Sequence, residues 1–88
     1  MEVIITAQFE KDTEKELSKK MQLRLAEIID NLQRLQKPSE IINIKKLKGF
    51  KSAYRIKMGD FRIGFLLEDN VIKLSRIMNR KEIYRHFP

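Results

Sequence analysis

The stretch from Tyr54 to Phe65 reads YRIKMGDFRIGF, and it decides the fold. Apolar and basic residues alternate on both sides of Gly59-Asp60, a pair that is typical of a two-residue hairpin turn. Such a short loop fixes which residues face each other across the two strands. The pairs predicted on the apolar face are Met58 with Phe61, Ile56 with Ile63 and Tyr54 with Phe65.

The opposite face of this hairpin concentrates positive charge. Lys57 is predicted to lie opposite Arg62, and Arg55 opposite Gly64. Like charges directly opposed on a sheet are destabilising, whereas a bound phosphate would turn the repulsion into charge-assisted hydrogen bonds. Gly64 is expected to leave open space above the backbone. We interpret this face as an anion site; a solvated face with splayed side chains remains the alternative.

The segments before the hairpin predict a strand and two helices. Residues from Val3 to Phe9 alternate loosely and favour a first strand. Thr13 and Glu16 fit a capping box that opens a charged helix. A second, long helix follows from Ser18 and is predicted to end at Pro38. Its apolar stripe, which favours packing against a sheet, comprises Met21, Leu25, Ile28, Ile29, Leu32 and Leu35.

The segments around and after the hairpin predict an antiparallel meander. A basic stretch, Lys45 to Gly49, is predicted to form a short strand or extended loop that ends in a glycine turn. Another strand starts at Val71, and its alternation slips near Ser75-Arg76-Ile77, as a β-bulge would cause. The charged segment from Asn79 to Phe87 predicts a short terminal helix or tail. The whole chain, residues 1–88, is thus expected to form one α+β domain.

Composition excludes several classes of protein. The 88 residues include no cysteine and a single histidine, His86, so disulfide scaffolds, thiolate metal sites and thiol catalysis are excluded. No apolar run approaches the length of a membrane span, and no signal peptide is evident. The expected location is therefore cytoplasmic, and no metal or cofactor is expected. We interpret His86 as a surface or packing residue rather than a catalytic base.

The positive charge belongs to the second half of the chain. The net charge is +7, yet residues 1–44 carry seven basic and eight acidic side chains, while residues 45–88 carry twelve basic and four acidic ones. Such a concentration favours a polyanion, nucleic acid above all, as the partner. A solubilising surface or a patch for an acidic protein is the alternative. Tyr84 lies among further cations, and its ring could stack on a base; a ring packed on the core with its hydroxyl in water is the alternative. These cations are Arg76, Arg80, Lys81 and Arg85.

Three runs together resemble the RelE/ParE toxin superfamily. They are Leu47-Lys48-Gly49, then YRIKMGDFRI from Tyr54 to Ile63, then NRKEIY from Asn79 to Tyr84. The closing Phe87-Pro88 is also similar to small RelE-type members. The resemblance covers nearly the whole chain and implies a microbial-ribonuclease-like RelE fold.

The resemblance also implies a function and partners. Such proteins are toxins of bacterial type II toxin–antitoxin pairs, and RelE-type members are endoribonucleases (mRNA interferases) that cleave mRNA in the ribosomal A site. A cognate antitoxin would wrap and block the toxin in a hetero-oligomer, which would contact operator DNA through the antitoxin. No membrane partner is implied. ParE-type members instead poison DNA gyrase, and a non-catalytic basic binding domain is a third possibility.

By position, the resemblance carries a catalytic set onto this chain. Lys57 is the candidate that deprotonates the ribose 2′-OH, and Arg62 would stabilise charge developing on the phosphorus. Arg80 would hold phosphate or assist the leaving oxygen, and Tyr84 would stack on a base or position the nucleophile. The residues expected to bind RNA phosphates are Arg55, Lys48, Lys51 and Lys81.

Two positions depart from the family pattern. Arg55 stands where the best-known member has lysine, and because a guanidinium stays protonated at any working pH, it can bind phosphate but is a poor base. Asn79 stands where many relatives carry histidine or lysine, which removes a titratable or cationic group.

Overall fold

The computed structural model describes residues 1–88 and arranges them around one five-stranded sheet. The sheet has the order β1-β5-β4-β3-β2, in which β1 runs parallel to β5 and all other neighbours are antiparallel. The predicted α+β class and element order are confirmed. The elements are β1 (Glu2–Ile5), α1 (Ala7–Glu16), α2 (Lys19–Arg34), β2 (Ile44–Lys46), β3 (Ala53–Met58), β4 (Phe61–Glu68), β5 (Val71–Asn79) and α3 (Ile83–His86).

The hairpin of β3 and β4 has the predicted register. Lys57 pairs with Arg62, Arg55 with Gly64, and the three apolar pairs also face each other as expected. Gly59 has a φ of +59°, a left-handed conformation that favours glycine at this turn. The cations predicted to share one face therefore do share it.

The predicted bulge in β5 is confirmed at Ser75. Gly64 pairs with Arg76 while the next residue, Phe65, pairs with Leu74, so Ser75 is the extra residue. A bulge shifts the alternation of side chains by one. Leu74 and Ile77 consequently both enter the main core, although they are three residues apart.

The helix boundaries correct two predictions. The first strand ends at Ile5, and Phe9 lies within α1, where it is fully buried. The N-cap of α1 is Thr6, whose side chain accepts a hydrogen bond from the Phe9 N–H. Thr13 is no cap, since it lies inside the helix and its hydroxyl donates to the Phe9 carbonyl. Because the first residues of the chain are apolar and β-branched, they predict a strand, and the early start of α1 was not predicted.

The second helix begins where the sequence indicates and ends slightly earlier. Ser18 caps α2 by accepting a hydrogen bond from the Met21 N–H. The helix ends at Arg34, and Pro38 opens a separate single 3₁₀ turn, Pro38–Glu40. The stripe along α2 packs as predicted against the sheet, with Leu25 and Leu32 fully buried. No helix of the structure combines the length and apolar character needed to cross a membrane.

A smaller second core lies on the opposite face of the sheet. There α3 covers part of β3, β4 and β5, because Ile83 and Phe87 pack against Ala53. Leu47, Leu66 and Met78 border this cluster. The face predicted to carry cations is thus divided: α3 covers its middle, and the cations lie toward the Gly59 turn.

Arg76 has a structural role that the sequence reasoning missed. Its Nε and Nη2 donate to the Asp12 carboxylate of α1 at 2.7 and 3.1 Å, and the Ile77 N–H donates to the same group at 3.1 Å. Burial raises the pKa of Asp12, but these hydrogen bonds and one from Gln8 outweigh it, so the pKa lies below its usual value. The same pair raises the pKa of Arg76. Arg76 ties α1 to the bulge and does not join the cations around Tyr84.

Candidate functional site

Three cationic residues lie at the hairpin end of the sheet. Lys57 lies near the end of β3, Arg62 near the start of β4, and Arg80 directly after β5. The Arg80 N–H donates to the Asp60 carbonyl at 2.8 Å, which fixes Arg80 beside the hairpin turn. Lys57 and Arg80 are both exposed. The structure therefore brings together three of the four residues predicted to be catalytic, and we call them the hairpin cations.

The guanidinium of Arg62 is held in place by the backbone. Its Nη1 donates to the carbonyls of Gly59 and Phe61, at 2.8 and 3.0 Å. An arginine has five N–H donors in a rigid fork, so Nε and Nη2 remain available. These two carbonyls also reduce the repulsion from Lys57 that the facing register would otherwise cause.

Arg55 turns toward the sheet edge rather than toward the hairpin turn. Its Nη1 donates to the carbonyl of Asn43 at 3.1 Å, and its buried Nε has no hydrogen-bond partner. Asn43 has a φ of +61°, and its carbonyl also accepts from the Lys57 N–H. Arg55 therefore shares a face with the hairpin cations but directs its charge toward β2.

The space above Gly64 is filled, contrary to the prediction. A Cβ placed on Gly64 would lie 2.6 Å from Cδ2 of Phe87, well inside van der Waals contact. The ring of Phe87 is itself 4% exposed and belongs to the second core. Gly64 thus serves the packing of the C-terminal segment and leaves no opening for a phosphate.

Asn79 shapes the turn that leads into α3. Its side-chain oxygen accepts a hydrogen bond from the Lys81 N–H at 3.0 Å, and its carbonyl accepts from the Glu82 N–H at 2.9 Å. Asparagine favours such local turns because its side chain imitates a backbone acceptor. Asparagine at this position, where many relatives carry histidine or lysine, therefore has a structural role in the turn. Lys81 is exposed on the same turn.

A groove of about 460 Å³ lies between the β2 edge and the C-terminal segment. It contains two predicted site residues, Lys48 and Tyr84, and no acidic side chain lines it. Tyr84 is 54% exposed, so its ring is presented to solvent rather than packed in the core. The full lining is Lys45, Lys46, Leu47, Lys48, Phe50, Tyr84, Phe87 and Pro88. We call it the lysine groove.

The structure thus separates the predicted site into two parts on one face. Lys57, Arg62 and Arg80 form the hairpin cations, whereas Lys48 and Tyr84 belong to the lysine groove. Lys51 is exposed in the loop beside the groove but does not line it. Sequence reasoning missed Lys45, Lys46 and Phe50 as site residues. An aromatic residue between two lysines after a glycine turn was the signal that could have found Phe50.

The remaining candidates are placed away from both parts. His86 is exposed on α3 and does not line the lysine groove. No group of three or more His, Asp or Glu side chains is arranged to hold a metal ion. The titratable side chains of the hairpin cations and of the lysine groove are those of lysine, arginine and tyrosine.

The family follows from comparison with known proteins. Residues 3–84 match the family model described as ParE toxin of type II toxin–antitoxin system, parDE. The chain therefore belongs to this family of toxins. It is also 34% identical to Toxin RelE3 of Methanocaldococcus jannaschii over 89 residues, which span all of both chains. This likeness groups it with the RelE-type toxins.

Solved structures agree with this assignment. A RelB-RelE antitoxin-toxin complex from Methanococcus jannaschii gives a TM-score of 0.81 at 32% identity, over 97% of this chain and 99% of that one. An archaeal RelE-RelB complex from Pyrococcus horikoshii OT3 gives 0.73 at 29% identity, over 93% and 97% of the two chains. The expected RelE fold is confirmed.

Proposed function

We propose that this chain is the toxin of a type II toxin–antitoxin pair and acts as an endoribonuclease on mRNA in the ribosomal A site, so that it inhibits translation. The full-length likeness to Toxin RelE3 supports the RelE type. The observation that carries the nuclease assignment is the register of Lys57 opposite Arg62, with Arg80 fixed beside the same turn. Three neighbouring cationic residues suit a phosphodiester whose negative charge increases during reaction.

The proposed reaction needs no metal ion. The ribose 2′ oxygen attacks the adjacent phosphorus, forming a 2′,3′-cyclic phosphate as the bond to the 5′ oxygen breaks. Lys57 acts as the general base that accepts the 2′-OH proton. Arg62, aligned by its two backbone carbonyls, stabilises the phosphorane. Arg80 stabilises the leaving 5′ oxygen, which takes a proton from solvent water to become a 5′-OH. Tyr84, in the lysine groove, stacks on a neighbouring base.

A cognate antitoxin is the proposed regulator. The solved relatives include RelB-RelE antitoxin-toxin complexes. The concentration of basic residues in positions 45–88 suits an acidic segment that is partly disordered and orders on binding. An antitoxin that covered the hairpin cations would block the nuclease directly, and the hetero-oligomer would reach operator DNA through the antitoxin.

The test is cleavage of a defined mRNA on purified ribosomes, with mapping of the new 5′ ends. Lys57→Ala and Arg62→Ala are each expected to reduce the rate at least about 100-fold, the usual scale of a positioned acid–base or electrostatic group. Lys73→Ala is the matched control, because Lys73 is an exposed cation near the opposite end of β5. Unchanged cleavage by both site variants would refute the assignment.

A loss of folding must be separated from a loss of chemistry at Arg62, because its side chain also ties down the hairpin turn. Arg62→Lys keeps the charge but loses the rigid fork. It is expected to retain the thermal stability better than Arg62→Ala while remaining slow in cleavage. Equal rates for Arg62→Lys and wild type would show that charge alone suffices there.

Inhibition of DNA gyrase is the second candidate function, since the matched family model is described by the name ParE. A gyrase supercoiling assay with the purified toxin separates the two. Inhibition of supercoiling without mRNA cleavage would support the gyrase candidate and overturn the nuclease. If expression of the chain alone causes no growth arrest, a non-toxic binding domain becomes the better description.

A further inference from the structure

We propose that the lysine groove is a subsite for single-stranded RNA in which a base stacks on the ring of Phe50, one nucleotide or more away from the scissile bond. This inference rests on the proposed ribonuclease function and extends it to a second contact on the substrate. Nothing in the catalytic scheme requires Phe50, so its exposure in the groove needs a separate explanation.

The composition of the groove fits a nucleotide. Three lysines on its β2 side, Lys45, Lys46 and Lys48, supply point charges for phosphates, and no Asp or Glu side chain lines the groove to oppose them. Two aromatic rings, those of Phe50 and Tyr84, supply π surfaces. Positive charge along the backbone path together with aromatic platforms is the common arrangement for binding single strands.

The exposure of Phe50 is the observation that calls for a ligand. Its side chain is 50% exposed in the loop between β2 and β3, although phenylalanine is usually withdrawn from water. The neighbouring Phe87 is only 4% exposed and has a packing role against Gly64. Phe50 has no such role, since it belongs to neither core cluster.

The groove and the hairpin cations lie on one continuous path. Lys45 pairs with Arg55 across β2 and β3, and Arg55 lies two residues before Lys57 on the same face. With strands about 4.8 Å apart and about 3.3 Å of rise per residue, the backbone distance from Lys45 to Lys57 is about 8 Å. One RNA strand can therefore contact both parts, with Arg55 between them.

The direct experiment measures binding of a 2′-O-methyl RNA decanucleotide, which cannot be cleaved through its 2′ oxygen. Phe50→Ala is expected to raise the Kd about 10-fold, the effect of losing one base–aromatic stack. Phe50→Leu should bind as weakly as Phe50→Ala, because it keeps apolar area but has no π face. Leu23→Ala is the matched control, since Leu23 is another exposed apolar residue, 70% exposed, on α2.

A spectroscopic readout detects stacking itself. The chain contains no tryptophan, so Phe50→Trp introduces a single tryptophan into the groove, and its fluorescence can be excited selectively over that of the two tyrosines. Stacking predicts quenching by the RNA probe and little quenching by an abasic ribose-phosphate strand of the same length. Equal quenching by the two strands would show that only charge acts at this position and would overturn the proposal.

Cleavage and binding assays together separate the RNA subsite at Phe50 from the proposed nuclease activity. If wild type cleaves mRNA and Phe50→Ala shows the same Kd for RNA and the same KM, the subsite is refuted and the nuclease stands. If neither protein cleaves but Phe50→Ala weakens RNA binding, the subsite stands and the nuclease is refuted. If Phe50→Ala weakens binding of an acidic antitoxin peptide but not of RNA, the groove is a protein interface and the subsite is refuted.

Discussion

Single residues determine how the C-terminal segment packs on the basic face of the sheet, and Gly64 is the clearest case. Gly64→Ala would force its new methyl group against the ring of Phe87. We expect a loss of about 1–3 kcal/mol of unfolding free energy, as overpacking usually costs. In a Phe87→Ala background the same substitution should cost almost nothing. Thermal or urea unfolding of the four proteins in this cycle checks the coupling, and additive losses would contradict it.

The Asp12–Arg76 pair gives the protein a defined acid sensitivity. The pKa of Asp12 is lowered in the folded state. The Asp12 carboxylate therefore adds to the free energy of unfolding above about pH 4, and this stabilisation is lost as the pH falls through the lowered pKa. Asp12→Asn should lower the free energy of unfolding by about 3 kcal/mol at pH 7, because the guanidinium of Arg76 is then left largely buried without its anionic partner.

Urea unfolding between pH 2 and pH 7 measures this effect. The stability difference between wild type and Asp12→Asn is expected to narrow below pH 4. A difference that stays constant over this range would show that the carboxylate charge contributes nothing. Glu10→Gln, on an exposed position of the same helix, is the control.

Sequence reasoning at the residue scale succeeded where a pairing rule applied. The position of Lys57 opposite Arg62 followed from the length of one turn. The Asp12–Arg76 pair was not predicted, because it joins residues 64 apart in the sequence and depends on the direction that the β-bulge gives to the Arg76 side chain. The filling of the space above Gly64 was equally hidden, since it depends on where the last residues pack.

At the scale of elements, the passage from β5 to α3 is controlled by Asn79. Asn79→Ala removes the acceptor for the Lys81 N–H. We expect a loss of about 1 kcal/mol, similar to the loss of a helix cap, together with faster amide exchange in α3. Asn79→Asp keeps the acceptor and should retain the wild-type stability. Hydrogen exchange by mass spectrometry provides the readout, and unchanged protection in Asn79→Ala would contradict the assigned role.

The elements themselves were predictable to different degrees. The hairpin, the bulge and the stripe of α2 follow from local alternation and helical periodicity, and all three are confirmed. The predicted start of α1 was wrong because the β-branched residues before Thr6 and the buried Phe9 fit a strand equally well. The covering of the sheet by α3 was not predictable, since four residues of helix carry no periodicity.

At the scale of the whole molecule, the two halves of the chain differ in charge. The helical first half is nearly neutral, while the second half forms the basic face. RNA binding should therefore weaken steeply with salt, with log Kd changing by about 0.7 per contacted phosphate for each tenfold change in salt concentration. Lys46→Ala is expected to reduce this slope by about 0.7, whereas Lys73→Ala should leave it unchanged. Titrations of the 2′-O-methyl RNA from 50 to 300 mM salt check the difference, and equal slopes for the two variants would contradict it.

The charge asymmetry was predictable from sequence, but its division into hairpin cations and lysine groove was not. Counting charges shows which half is basic. Only the placement of α3 shows that Tyr84 and Lys48 line one groove and that Arg80 does not line it.

The parallel pairing of β1 with β5 has a consequence for synthesis. The first strand of the chain finds its only partner in the last strand, with Ile5 beside Leu74. Contacts of such long sequence separation form late and slowly. A nascent chain on its own ribosome therefore cannot complete the sheet, nor bring Arg80 to the hairpin turn, until the residues of β5 have been translated and have left the exit channel. The order of the strands thus delays assembly of the hairpin cations until β5 has emerged.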